Sequence, residues 1–355
     1  MNHNRYAFLD GMRGLVALFV LTRHTKAYWG FEFYRSYLAV DVFFILSGFV
    51  IAYAYDQKIM DGRINFGRFV LIRLIRLYPV FLLSLLLCVS LVTLELTSGI
   101  NVPKASFDEI LYVFGLTAFF LPSQWTGSQA LFPVNGPYWS LFFELISNFF
   151  YALVRPFLSN VILIAILFSA FALIALSAFH HGSMDNGFKW GIESIVMGLS
   201  RSVFGIFLGL WLHRHETVIK RYAGKFMSPF VGALLIVLVL ISPKVGQFDW
   251  LVDLVSVAII FPFCVICGAQ GSNSRLLRPI LLVLGSASYP LYVLHKPFGE
   301  MMSILGGKIE VGYAPFSGLV LIAILVPLCV LIETYYDIPL RRWLTNSVFR
   351  KRDAV

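Results

Sequence analysis

Residues 37–56 read YLAVDVFFILSGFVIAYAYD. Before its terminal aspartate this run carries a single charge, Asp41, among apolar, aromatic and small side chains. An α-helix rising ~1.5 Å per residue needs about twenty such positions to cross a ~30 Å hydrocarbon layer. The run is continuous and lacks the period-two alternation of an outer-membrane barrel strand. Nine more runs of similar character lie near 9–29, 78–97, 138–155, 160–179, 192–213, 228–242, 251–269, 281–303 and 316–336. Composition agrees with them. The chain has 355 residues, 59% hydrophobic and 13% charged, where a soluble domain has ~45–50% apolar and ~25% charged residues. A soluble surface is not built from so few charges. A soluble enzyme, a disordered tail and a disulfide scaffold are therefore excluded. The expected fold is an all-α integral membrane protein of about ten transmembrane helices. The first run contains Asp10, Arg13, Arg23 and His24, so it reads as a retained span rather than a cleaved signal peptide.

Charge sets the topology. With ten spans and both termini cytoplasmic, eighteen of the 28 Lys and Arg fall on the cytoplasmic side, among them Arg68, Arg155, Arg214 and Arg341. Six fall outside, Arg35 included, and Arg13, Arg23, Arg201 and Lys296 fall within spans. That bias follows the positive-inside rule. An eleventh candidate at 109–122 is short, and counting it as a span would invert everything after it. Residues 98–137 are therefore expected to form one outer loop with a buried or re-entrant helix, a device tolerated at membrane depth when packed against protein. The net charge of +9 then belongs to cytoplasmic headgroups of the lipid bilayer, and nucleic acid is not an expected partner. Cys88, Cys264, Cys267 and Cys329 all lie in predicted spans; CVIC at 264–267 has metal or redox spacing but no His or acidic neighbours. These cysteines read as small buried hydrophobes, with no metal expected.

Ionisable groups within spans are costly and mark function. On the first span Arg13 and His24 are eleven residues apart, which leaves them ~20° apart around the helix and ~16 Å apart along it. Asp10 lies one turn before Arg13. Asp41 enters the second span at a depth similar to His24, so it is expected to orient His24 as a general base, or else to lock the two helices. Arg73 and Arg76, three residues apart, share a helix face suited to phosphate; an anchor on anionic lipid is the competing role. Ser140, Glu144 and Ser147 or Asn148 recur at helical spacing. His295 arrives near the outer half as a second candidate base. Glu193 and Arg201 are expected to pair or to line a cavity, and Glu333 and Asp337 to serve a helix end.

These segments together resemble acyltransferase family 3, bacterial integral-membrane O-acyltransferases. LDGMRGLVALFVLTRH at 9–24, DVFFILSGFVI at 41–51, RLIRLYP at 73–79, YWSLFFELISNFFY at 138–151, SRSVFGIFLG at 200–209 and SYPLYVLHKP at 288–297 are similar to successive family segments. The resemblance implies acyl-CoA, by default acetyl-CoA, as donor and a hydroxyl of a surface glycan such as O-antigen or exopolysaccharide as acceptor. It implies His24 as the essential base, Arg73 and Arg76 toward the CoA, and Arg13 as part of the conserved core. The reading of the residues adds Asp41 and Glu144 as catalytic candidates, sets Arg13 with the CoA-binding arginines, and sets Ser140, Trp139, His295 and Tyr292 toward the acceptor. The resemblance also implies a membrane acyltransferase domain over 1–340 and a basic cytoplasmic tail over 341–355, in the cytoplasmic (inner) membrane. Where many relatives carry two adjacent acids after the Trp-Ser pair, this chain has Glu144 alone, and the fused hydrolase-like domain of many relatives is not expected. Among other classes, a transporter or exporter of a glycan or small acid also suits polar stripes in spans, though no internal repeat is visible, and a non-catalytic scaffold would make His24 dispensable.

Overall fold

The computed structural model describes residues 6–98, 106–223, 228–270, 276–306 and 312–349. Several charges used for the topology, including Arg5, Lys104, Lys225 and Arg275, lie outside the described residues. The elements are α1 (Ala7–His24), α2 (Ala39–Met60), α3 (Phe66–Ser98), α4 (Phe107–Ala118), α5 (Tyr138–Val154), α6 (Asn160–His181), α7 (Ile192–Arg214), α8 (Glu216–Ala223), α9 (Pro229–Ile241), α10 (Asp249–Val255), α11 (Phe261–Ala269), α12 (Leu277–Gly306), α13 (Phe316–Ile332) and α14 (Ile338–Phe349). A π-helical turn at Ser256–Ile260 joins α10 to α11, and another at Glu333–Asp337 joins α13 to α14. Among the described residues the only β feature is one isolated bridge, Ala130 to Lys189. The fold is thus an all-α, multi-span membrane architecture. Among the described residues seven helical stretches are long and apolar enough to cross a bilayer. The other three expected runs are also helical but fall short of that measure: α1 has 18 residues and carries Asp10, Arg13 and Arg23, α5 has 17 residues, and α9 has 13.

α2 is the centre of the bundle. In its most apolar window 83% of residues are buried, against 22% in α6. Phe168, Leu176 and Phe179 of α6 face outward, as they would toward lipid chains. Without a hydrophobic drive between helices in lipid, close packing needs small residues at the contact. Gly48 of α2 supplies one: a Cβ there would lie 2.0 Å from the Ile206 carbonyl oxygen of α7. Gly14 of α1 supplies another, where a Cβ would lie 2.4 Å from the Leu284 carbonyl oxygen of α12. These two approaches draw α2 to α7 and α1 to α12, the pairs that carry the site.

Register bears on the eleventh candidate. Tyr138 of α5 meets Ser84 of α3, Glu144 meets Arg73, and Tyr151 meets Phe69. The α3 numbers fall as the α5 numbers rise, so the two helices are antiparallel. α4 between them has 12 residues, about 18 Å of helix, and Ile110 packs back on Val92 in the outer part of α3. It starts with a capping box in which Ser106 and Glu109 each bond the other's backbone amide.

Several charges assigned to loops are structural. Arg35 is fully buried, bonded to Asp249 and 3.3 Å from Asp253, and Tyr37 donates to Asp253 at 2.8 Å. At the opposite pole Asp56 receives both Arg155 (2.9 Å) and Arg214 (3.2 Å). These arginines tie helix ends together instead of facing the headgroups alone. The segment read as a tail from 341 is helical as far as it is described, through Phe349.

Candidate active site

Among the cavities that enter the bundle two matter here, called inner and outer after the orientation expected from the charges. The inner one is about 460 Å³, within the size range of small-molecule sites. Along α2 it runs from Tyr55 to Val40, fifteen residues or about 22 Å. Arg13, Arg73, Arg76 and Arg341 line it. Arg73 bonds Glu144 at 3.0 Å, and Ser47 donates to the same carboxylate at 2.6 Å. Arg341 bonds Glu333 at 2.6 Å and Asp337 at 2.7 Å, and Arg76 lies 3.4 Å from Asp337. The carboxylates leave donors over: Nε of Arg13, of Arg73 and of Arg341 is buried with no hydrogen-bond partner. Guanidinium groups with spare N–H donors suit phosphate oxygens.

The outer cavity is about 290 Å³ and is lined by His24, Arg23, Glu32, Trp139, Asp185 and Arg201, among others. His24 is exposed at its wall. Behind it stands His295, fully buried, with ring centroids 5.2 Å apart. Nδ1 of His295 lies 3.0 Å from the Leu291 carbonyl oxygen. A carbonyl only accepts, so Nδ1 carries the proton and Nε2 is a bare acceptor; Nε2 has no partner.

The local sequence explains how α12 holds this position. Pro297 lacks an N–H, so the Val293 carbonyl has no helical donor. Ser84 donates to that carbonyl at 2.5 Å and Asn135 at 3.0 Å. Tyr138 in turn donates to Ser84 at 2.7 Å. The proline therefore frees the carbonyl that fastens α12 to α3 and to the outer loop, two residues before His295.

The residues expected from sequence fall into two sets. His24, Trp139 and Tyr292 meet at the outer cavity with His295 behind them, and Arg13, Arg73, Arg76, Glu144 and Ser140 meet at the inner one. Tyr292 belongs to both. Two expectations need correction. Asp41 does not orient His24: Arg201 grips both its oxygens, at 3.0 and 2.7 Å, because Gly48 lets α7 come close. Glu144 lies on Arg73 and Ser47 at the inner cavity, whereas His24 lines the outer one. Glu193 does not pair with Arg201; its carboxylate is exposed, 3.2 Å from His181. Arg201 also bonds the carbonyls of Met184 and Asn186 and lies over the Trp139 ring, so Asp41 shapes the outer cavity through Arg201.

Sequence reasoning missed Arg341, Ser288 and Tyr289, which line the inner cavity. Arg341 had a signal, since Glu333, Asp337 and Arg341 repeat every four residues on one face. His180, His181 and Glu193 offer ligand atoms within 4.8 Å of one another, with the spacing of a metal site, but they are exposed and line neither cavity. All four cysteines are buried and free.

The chain is 42% identical over 156 residues to a Rhizobium radiobacter protein described as protein 2 in the picA locus, a match covering 42% of this chain and 81% of that protein. No solved structure matches. An acyltransferase domain matches residues 6–334. With its multi-span helical fold, the chain is a multi-pass protein of the bacterial inner membrane and belongs to acyltransferase family 3.

Proposed function

We propose that this protein moves an acyl group, by default acetyl, from cytoplasmic acyl-CoA to a hydroxyl of a surface glycan such as O-antigen or exopolysaccharide, with His24 as general base. The reading takes ten crossings with both termini cytoplasmic. The observation that carries it is the pairing of an arginine-lined inner cavity with a histidine-lined outer one, meeting at Tyr292. The inner cavity runs about 22 Å along α2, long enough for an extended arm, and the guanidinium groups of Arg13, Arg73, Arg76 and Arg341 that line it suit phosphates. No metal enters this reading.

His24 takes the proton of the acceptor hydroxyl as that oxygen attacks the thioester carbonyl. The new C–O bond forms, the C–S bond breaks, and the thiolate regains a proton from the imidazolium. His295 offers its bare Nε2 on the far side of His24 and stabilises the charge His24 acquires. Proximity and general-base catalysis are the effects invoked. Trp139 and Tyr292 form the apolar wall against which the acceptor sugar lies.

The test is transfer of labelled acetyl from acetyl-CoA to glycan in membranes. His24→Ala is expected to abolish it while the protein remains folded and inserted. Normal acetylation by that variant overturns the mechanism. A carrier of glycan or small acid is separated by heating: acetyl-CoA is expected to protect the purified protein, and absence of protection counts for a carrier.

A further inference from the structure

Two cavities that together reach most of the way across a membrane are a hazard, because a continuous path would leak water and ions. Of the residues lining them, Val40 and Tyr292 alone belong to both. Val40 is an aliphatic side chain at the second position of α2. Tyr292 is a buried aromatic, held from three sides. Its hydroxyl hydrogen-bonds the Ser140 hydroxyl and lies 3.2 Å from the Pro137 carbonyl oxygen, and its ring meets Phe43 edge-on with centroids 5.3 Å apart. Pro290 and Pro297 bracket this part of α12. A ring so held is a wall, and the hydroxyl bond to Ser140 is what keeps it closed.

We propose that Tyr292 is the divider between the two chambers: it excludes outer water from the inner chamber, and the gap it leaves against Val40 sets the size of acyl group that reaches His24. This assignment rests on the acyl-transfer reading for what crosses the divider, but the barrier itself exists without turnover. Ser140 is a positioning residue here, since it acts by holding the tyrosine. An acyl group of two carbons passes beside a ring that tilts; a longer or branched one requires the ring to leave. Removing the ring is therefore expected to widen acyl choice and to let water compete for the thioester.

The barrier is tested by thiol labelling. Ser288 lines the inner chamber one turn below Tyr292, and its hydroxyl bonds only within its own helix, to the Gly285 carbonyl. The native cysteines are buried and supply the background control. Ser288→Cys is expected to react with a small charged methanethiosulfonate added to inside-out vesicles. Added outside intact cells, the reagent is expected to leave it unlabelled while Tyr292 is present and to label it in Ser288→Cys/Tyr292→Ala. Tyr292→Phe keeps the ring and loses the hydroxyl, so outside labelling in that background is expected to fall between the two. Outside labelling with Tyr292 intact overturns the proposal. So does protection from outside in the Tyr292→Ala background when labelling from inside succeeds. None of these readouts requires acyl transfer, so the barrier and the proposed reaction fail separately. In the transfer assay, Tyr292→Ala is expected to raise acetyl-CoA hydrolysis relative to transfer and to accept butyryl-CoA better than the parent does; an unchanged ratio and unchanged acyl choice would refute the size-setting role.

Discussion

His295 stands behind His24 with ring centroids 5.2 Å apart, its tautomer fixed by the Leu291 carbonyl and its Nε2 left without a partner. A fully buried acceptor nitrogen with nothing to accept is costly, and it is repaid once His24 carries a proton. His295→Ala is therefore expected to lower kcat for transfer by roughly 10²–10⁴-fold, the usual worth of acid–base assistance. The acyl-CoA KM should change little, because His295 is remote from the inner arginines. Steady-state transfer kinetics in membranes check this, and a donor KM effect without a kcat effect would place His295 elsewhere in the mechanism.

Asp41 is expected to behave differently from His24. Its carboxylate and Arg201 are both about 1% exposed, and removing one partner of such a pair leaves an uncompensated buried charge, a cost of about 3–5 kcal/mol. Asp41→Ala should lower the thermal midpoint in detergent, and the double variant Asp41→Leu/Arg201→Met should recover part of that loss. If Asp41→Ala keeps its midpoint yet loses kcat, Asp41 serves the chemistry directly.

The fold was largely legible because lipid imposes strong rules on sequence: each expected run is a helix, and the register of α3 against α5 agrees with a short α4 that does not cross. The site was legible in part. Arg13 and His24 lie on one helix, so its period and rise set them on one face ~16 Å apart, and the structure puts a cavity at each. The Asp41–His24 pair failed because depth along two helices says nothing of rotation, and the partner of Asp41 sits on α7, 160 residues later in the chain. Arg35 looked like a loop charge for the same reason: its partners Asp249 and Asp253 are distant in sequence. Tyr292 gave no signal as a divider, since that role exists only where two cavities meet.

The inner arginines should separate by function. Arg73 is engaged with Glu144, whereas Arg76 meets Asp337 only at 3.4 Å. Arg76→Ala is expected to raise the KM for acyl-CoA several-fold and to leave acceptor preference unchanged. Arg73→Ala strands Glu144 in a buried setting, so it should lower stability as well. Donor and acceptor titrations of the two variants, each beside a melting curve, check the split; a shift in acceptor preference with Arg76→Ala counts against its docking role.

The glycine contacts predict where the bundle resists enlargement. A Cβ at Gly48 would stand 2.0 Å from a backbone oxygen of α7, and neither helix yields without moving the Asp41–Arg201 pair a few turns away. Gly48→Ala is expected to cost at least the ~1–3 kcal/mol typical of overpacking, seen as a lower midpoint. Gly115→Ala, where a Cβ meets nothing within 4 Å, is the control and should leave the midpoint unchanged.

The start of α4 carries a pH-dependent latch. Glu109 accepts hydrogen bonds from the Ser106 amide, the Thr126 hydroxyl and the Thr126 amide, and these hold its carboxyl down at about 2, below its ordinary value of 4.5. The sign follows from linkage: a carboxyl depressed in the folded state stabilises the loop above the ordinary value, and that contribution is lost as pH falls from 4.5 toward 2. The latch is therefore fully engaged at neutral pH and opens only in acid. Amide protection factors, with the intrinsic pH dependence of exchange divided out, should fall at the start of α4 and at Thr126 across that window in the parent protein. In Glu109→Gln the amide side chain makes weaker bonds without a charge, so protection should be lower at neutral pH and constant across the window. A Glu109→Gln protein that keeps the parent's acid dependence would assign the latch to another group.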